Sequence, residues 1–213
     1  WSRYSGARKC CSVSLRVRVL AISAETVAES VTVPWMTVGR SRVVETTPAA
    51  LMAVVGLSVP WLLANATGVA GLARLAARNG LTLVHISSDY VFDGTREGGY
   101  PEDAPFAPLG VYGQTKAAGD AAVAVAPRHY VVRTSWVIGD GNNFVRTMAT
   151  LAERGINPTV VNDQTGRLTF TPDIATGIHH LLTTRPAYGT YNLTGTGQPT
   201  TWADIARTVY ELT

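Results

Sequence analysis

Apolar positions recur along this chain with two different periods. Leu81–Ser87 reads as a strand of β-branched and apolar residues flanked by polar ones, and His129–Thr134 (HYVVRT) reads as another. Thr159–Val161 and Tyr191–Leu193 predict two shorter strands. Between them the period lengthens toward that of a helix. Trp61–Asn79 places Leu62, Ala66, Val69, Leu72 (or Ala73) and Ala76 on one face, and Asn79-Gly80 closes it. A polar, Gly/Pro-rich loop after the first of these strands leads into a helix that carries Tyr112 and Lys116. Asn143–Arg154 places Phe144, Met148 and Leu151 together, with Gly155 beyond the end. Thr171 and Pro172 predict an N-cap and first turn, with Ile174, Ile178 and Leu181 inward. Thr201-Trp-Ala-Asp204 resembles a capping box before Ile205, Val209 and Leu212, also expected inward. Strands alternating with helices predict an α/β fold.

Composition refines this in one place. With 46% apolar and 15% charged residues the chain reads as a soluble globular protein. Its net charge of +3 is unevenly placed: residues 1–60 carry seven basic and three acidic groups, the remainder eleven and twelve. No basic stripe interleaved with aromatics follows residue 60, so nucleic acid is not expected as a partner. The two cysteines, Cys10 and Cys11, are adjacent and lack metal-ligand spacing, so a reducing, cytoplasmic setting is the default expectation. Residues 46–73 are uncharged, but Pro48, Pro60, Asn65 and several glycines interrupt them. The purely apolar Ala49–Leu57 is too short to cross a bilayer, and no membrane span is expected. The sequons at Asn65 and Asn192 read as chance without a secretory signal. His179 and His180 fall on different helix faces and His85 inside a strand, so all three are expected to be structural.

Candidate chemistry gathers between Ser87 and Lys116. Tyr112 and Lys116 are four apart and share one helix face. An ammonium beside a phenol favours phenolate and draws the tyrosine pKa down from about 10 toward a working value. Ser88, at the strand end, can set a hydroxyl beside the same carbonyl oxygen. Such a set suits protonation of a carbonyl as it accepts hydride.

HISSDYVFDG, Tyr112-Gly-Gln-Thr-Lys116 and VVRTSWVIG resemble the extended short-chain dehydrogenase/reductases, specifically those that reduce dTDP-4-keto sugars. NDQTGRLTFTPDIA and YNLTGTGQPTTWADIA resemble the same family's C-terminal lobe, so the likeness covers about residues 61–213. It implies a Rossmann-like doubly wound parallel sheet with a small substrate lobe. Residues 1–60 then form a non-matching segment, 61–140 the remainder of the cofactor domain, and 141–213 mainly the substrate lobe. The implied reaction is NADPH- or NADH-dependent reduction of the 4-keto group of dTDP-4-dehydro-L-rhamnose. In it Tyr112 gives the proton, Lys116 lowers the tyrosine pKa and holds the nicotinamide ribose, and Ser88 orients the carbonyl. Ser87 joins Tyr112 and Lys116 at the cofactor, with the nicotinamide near Arg133–Val137. Tyr90, Trp136 and Arg167 are implied substrate contacts, and Asn65 a structural or proton-relay residue. Leu168 stands where many members have proline. The resemblance also allows Mg2+ and a homodimer.

Residues 1–60 depart from that pattern. The family opens with a strand, a Gly-x-x-Gly-x-x-Gly turn and a helix that together receive a pyrophosphate. Here Gly6, Gly39 and Gly56 are isolated. Leu15–Ile22 is the surviving strand candidate, and Ser30–Val38 is interrupted by Pro34. Either a rearranged or mistranslated 5′ region or a divergent nucleotide lobe accounts for this. The chain begins at Trp1 and reads as a fragment or processed product. Weak cofactor binding and weak or absent activity are expected. Two alternatives stay open: a non-catalytic binding or regulatory subunit, and a reductase or epimerase acting on another nucleotide sugar.

Overall fold

The computed structural model describes residues 59–213. The strand candidates at Leu15–Ile22 and Ser30–Val38 and the cysteine pair lie outside them. Strand β1, Leu83–Ser88, runs parallel to β2, His129–Thr134, from Leu83 opposite His129 to Ser88 opposite Thr134. On its other side β2 pairs in parallel with β6, Gly189–Asn192, from Tyr130 opposite Gly189 to Arg133 opposite Asn192. The sheet order is β1-β2-β6.

β2 lies in the middle, and its alternation supplies two cores. Val131 joins Val69, Ala73, Ala76, Leu83, Val123 and Ala126, beneath α1 (Val69–Arg78) and α2 (Val111–Ala124). Tyr130 and Val132 point the other way, onto Leu181 and Ile178 of α4, Thr171–Thr184. With both faces covered, the strand must be apolar nearly throughout, which is why HYVVRT reads as a continuous run. Val131 and Val132 are almost wholly buried, each worth about 1.5–3 kcal/mol of transfer free energy. A parallel sheet with helices on both faces is the doubly wound arrangement expected. β6 and α4 come from the stretch read as mainly substrate lobe, yet they extend and cover this sheet.

Smaller ladders build the lobe beyond the strand ends. β3, Val137–Ile138, pairs in parallel with β5, Thr169–Phe170. β4, Thr165–Gly166, pairs antiparallel with β7, Thr200–Thr201. Helices α3, Phe144–Glu153, and α5, Trp202–Leu212, pack on each other, capped by Asn143 and Thr201 through their side-chain oxygens. Trp202 stacks on Trp136 with ring centroids 3.8 Å apart, and Phe144 lies 4.6 Å from Trp202.

Several expectations need correction. Thr159–Val161 forms no ladder, and Val161 is exposed, so nothing fixes it as a strand. The N-cap of α4 is Phe170 rather than Thr171, and no side chain caps that end. Leu212 is 84% exposed rather than inward. Leu62 is also exposed, because a π-helical turn, Leu63–Gly68, precedes α1 and rotates the face. That turn buries Asn65 instead.

Candidate active site

The site forms where β1 ends and α2 begins. Ser88 leaves the strand in extended backbone and caps a 3₁₀ turn, Asp89–Val91, by accepting a hydrogen bond from the Tyr90 amide at 3.3 Å. The Ser88 hydroxyl in turn donates to Asp89 Oδ1 at 3.0 Å. Helix α2 comes unusually close because two glycines face its neighbours. A Cβ at Gly113 would overlap the Tyr90 carbonyl oxygen, and one at Gly119 would overlap that of Asn65. Asn65 fixes the second approach by donating its side-chain amide to Thr115 Oγ1 at 3.2 Å.

This packing brings Tyr112 and Lys116 to the strand end together with Ser88. The Tyr112 ring meets Tyr90 edge-on at 5.8 Å and Trp61 at 5.2 Å. Lys116 is buried, and its ammonium donates to the Ile86 carbonyl of β1 at 2.6 Å. Burial pushes the lysine pKa down, partly offset by the Asp120 charge. The expected depression of the tyrosine pKa is not found. Burial pushes the Tyr112 phenol up, with a hydrogen bond from Ser88 opposing and Asp89, Tyr90 and Asp120 adding to the rise. Burial and the neighbouring carboxylates set the sign, while the Lys116 ammonium is turned onto the Ile86 carbonyl. The phenol therefore stays protonated at neutral pH.

Asp89 belongs to the same constellation and was not singled out from the sequence. Burial raises its carboxyl pKa to about 6, against hydrogen bonds from Ser88 and from the Asp89 and Tyr90 amides. A second unanticipated group lies just behind. Asp120 follows Lys116 by four residues and Tyr112 by eight, so the face that carries these two side chains continues into a buried carboxylate. Its Oδ2 accepts from Arg133 Nε at 3.0 Å, while its Oδ1 stands 3.4 Å from His85 Nε2, long for a hydrogen bond. Arg133 also donates to the Glu102 carbonyl at 3.0 Å, and its guanidinium lies between the Phe92 and Phe106 rings, 5.2 and 5.1 Å from their centroids. The i, i+4, i+8 spacing in the sequence was the available signal for Asp120. No comparable signal pointed to Arg133 as its partner.

The remaining predicted residues fall in three places. Ser87 is buried at the end of β1, where its hydroxyl finds no partner. Thr134 Oγ1 at the end of β2 and Asn192 Oδ1 at the end of β6 are also buried and unsatisfied, so all three parallel strands carry an orphan polar atom at their carboxyl ends. Tyr90 is 44% exposed beside Tyr112. Trp136 is buried in the lobe with a left-handed backbone (φ 41°), its ring against Gly166 and Trp202. Arg167 is tied into the lobe, donating to the Gly197 carbonyl at 2.8 Å while its own carbonyl accepts from Ser135. Among the described residues no group of three or more His, Cys, Asp or Glu side chains gathers to hold a metal ion, which leaves Mg2+ without support.

A doubly wound parallel sheet with serine, tyrosine and lysine at the end of one strand defines a Rossmann-like protein of the short-chain dehydrogenase/reductase kind. The family described as the RmlD substrate binding domain matches residues 61–213, and the chain belongs to it. It is 41% identical over 155 residues to dTDP-4-dehydrorhamnose reductase of Salmonella typhimurium, covering 70% of this chain and 52% of that protein. With the Escherichia coli enzyme of the same name it shares 40% over 155 residues, again 70% and 52% of the two chains. Among solved structures it resembles the dTDP-4-dehydrorhamnose reductase of Bacillus anthracis in complex with NADP. There the TM-score is 0.65 at 39% identity, covering 70% of this chain and 53% of that one. The chain thus spans about half the length of the curated relatives it matches. The Bordetella bronchiseptica enzyme WbmG, at 20% identity and TM-score 0.62 over 70% of this chain and 48% of that one, shares the fold.

Proposed function

We propose that this chain carries the acid–base half of a reductase that uses NADPH or NADH to convert dTDP-4-dehydro-β-L-rhamnose to dTDP-L-rhamnose. The observation that carries this reading is the meeting of Ser88, Tyr112 and Lys116 at the carboxyl end of β1. The names of the relatives supply the substrate and the cofactor. Bound NADPH would supply a hydride to the keto carbon. Tyr112, held protonated by its surroundings, then gives its proton to the keto oxygen, and Ser88 orients that oxygen. Lys116 is fixed against Ile86, from where it holds the nicotinamide ribose together with Ser87. The orphan hydroxyls of Ser87 and Thr134 and the Asn192 side chain fit such a ligand, because ligands of α/β sheets sit at these strand ends. Tyr90 is the exposed aromatic at the mouth, while Trp136 and Arg167 shape the substrate lobe, residues 141–213. We take the setting to be cytoplasmic and the assembly to be a homodimer.

One observation favours a second reading. Residues 1–60 lack the glycine triplet that receives a pyrophosphate, which suits a non-catalytic binding or regulatory subunit. Titration of the full chain with NADPH and NADH, followed by turnover with the dTDP-4-keto sugar, separates the two. The reductase reading expects cofactor binding and turnover that falls at least 100-fold in Tyr112→Phe. Absence of cofactor binding up to millimolar concentration, from a folded sample that still binds the dTDP-sugar, overturns it in favour of the second.

A further inference from the structure

The hydroxyl of Ser88 has more than one acceptor within reach of its hydrogen. A serine has one hydrogen to give. Here that hydrogen points to Asp89 Oδ1 at 3.0 Å, with the Tyr112 phenol as the competing acceptor, while the oxygen accepts from the Tyr90 amide at 3.3 Å. An ionised carboxylate only accepts, so this direction is fixed whenever Asp89 carries its charge. A Ser88 so engaged cannot at the same moment donate to a substrate carbonyl. Once Asp89 is protonated, its own O–H can donate to Ser88 Oγ, and the serine hydrogen is released.

We propose that Asp89 is a positioning residue whose protonation decides whether Ser88 donates to Asp89 or to the oxygen of a bound keto sugar. The proposal rests on the reductase reading for the identity of that oxygen. Beyond the proton that the Asp89 carboxylate takes from or returns to solvent, only hydrogen bonds change. The proton delivered to substrate still comes from Tyr112 and the hydride from the reduced nicotinamide. The ionisable groups buried on the elements packed against this turn are Tyr112, Lys116 and Asp120 of α2 and His85 of β1, with Tyr90 on the turn itself. Of these Tyr90 and Tyr112 are pushed up mainly by burial and further by the Asp89 charge. The carboxyl itself is raised to about 6, so the switch falls in a range where the chain can be assayed.

The first arm of the test needs no turnover. Aspartate is labelled at the carboxyl carbon in the full chain, and the Asp89 resonance is assigned by its loss in Asp89→Asn. A midpoint near 6 is expected, whereas one in the ordinary aspartate range, about 4, overturns the proposal. The second arm follows the Tyr112 phenol by ring-carbon labelling, in wild type, Ser88→Ala, Asp89→Asn and the double variant. In Asp89→Asn the freed serine hydrogen can turn to the phenolate, so Ser88→Ala raises the Tyr112 midpoint more in that background than in wild type. Equal effects of Ser88→Ala in both backgrounds overturn the proposal. The third arm measures single-turnover reduction between pH 5.5 and 8. Wild type is expected to slow severalfold as Asp89 ionises, with a flat profile in Asp89→Asn. The same decline in both chains overturns the proposal. Absence of turnover at every pH, with the first two arms as expected, overturns the reductase reading and leaves the Ser88–Asp89 switch standing.

Discussion

Replacing Arg133 with methionine is the most informative single perturbation of this fold. The guanidinium is 5% exposed and its partner Asp120 only 2%. Methionine keeps much of the apolar stem between Phe92 and Phe106 but removes the charge, the Nε bond to Asp120 and the Nη1 bond to Glu102. Asp120 is then left buried without a direct partner, with His85 at 3.4 Å and the Lys116 charge acting only at longer range. Stranding one partner of a buried ion pair costs about 3–5 kcal/mol, because the remaining charge keeps its desolvation penalty without its compensation. With a urea slope of about 2 kcal/mol per molar, a loss of about 4 kcal/mol lowers the unfolding midpoint by roughly 2 M. Circular dichroism of the full chain in urea at pH 7.5 measures this directly. Adding Asp120→Asn to Arg133→Met removes the stranded charge and should recover about half of the loss. Arg207→Met, which breaks an exposed pair with Asp204, is the control and should stay within about 0.5 kcal/mol. A loss below 1 kcal/mol in Arg133→Met, or strict additivity in the double variant, would refute the view that this pair pins α2 to the sheet.

Four further outcomes follow from the same structure. Gly119→Ala drives a methyl into the Asn65 carbonyl, which as backbone cannot swing aside, and should cost about 1–3 kcal/mol in the same denaturation. Gly71→Ala meets nothing within 4 Å in α1 and should instead gain up to about 1 kcal/mol. Folding raises the Asp89 carboxyl from 3.8 to about 6, so this group's contribution is intact below pH 3.8 and is lost as pH rises through 6. Asp89→Asn should therefore be more stable than wild type at pH 7.5, by about 1 kcal/mol after allowing for its partial contact with water, and equal to it near pH 4. His85 behaves oppositely: burial is the main cause holding its imidazole below 6.5, so its contribution is present above that value and lost as pH falls below it. Stability measured from pH 7.5 down to 5 should fall less steeply in His85→Gln than in wild type.

Much of the architecture was written locally. The run at His129–Thr134 became β2 with the bounds expected, because a strand buried on both faces must be apolar at nearly every position, and Leu81–Ser87 became β1 with its ends moved by a residue or two. Asn143 and Thr201 cap helices as their side chains allow, and Asn79-Gly80 ends α1 with Gly80 at φ 60°. The Tyr112–Lys116 face was equally legible, since spacing along a helix is a property of the helix alone. What failed were statements about what lies opposite. Leu62 was assigned inward from its period, but a π-helical turn shifts the register, and only contact with α2 selects Asn65 for that place. The sign of the Tyr112 shift depends on burial and on Asp89 and Asp120, neither of which spacing from Lys116 can weigh. Arg133, by its position in the chain, was a strand-end residue opening the stretch expected near the nicotinamide, with nothing to mark its partner. Its pairing with Asp120 and the Glu102 carbonyl exists because parallel strands and their crossover helix bring residues far apart in sequence into one dry volume, where a charge must find a partner. The sequence alone therefore determined most of the elements, the class of fold and the pairing of Tyr112 with Lys116 on one helix face. Tertiary structure decided which charges are buried together, and with that the protonation states on which the chemistry depends.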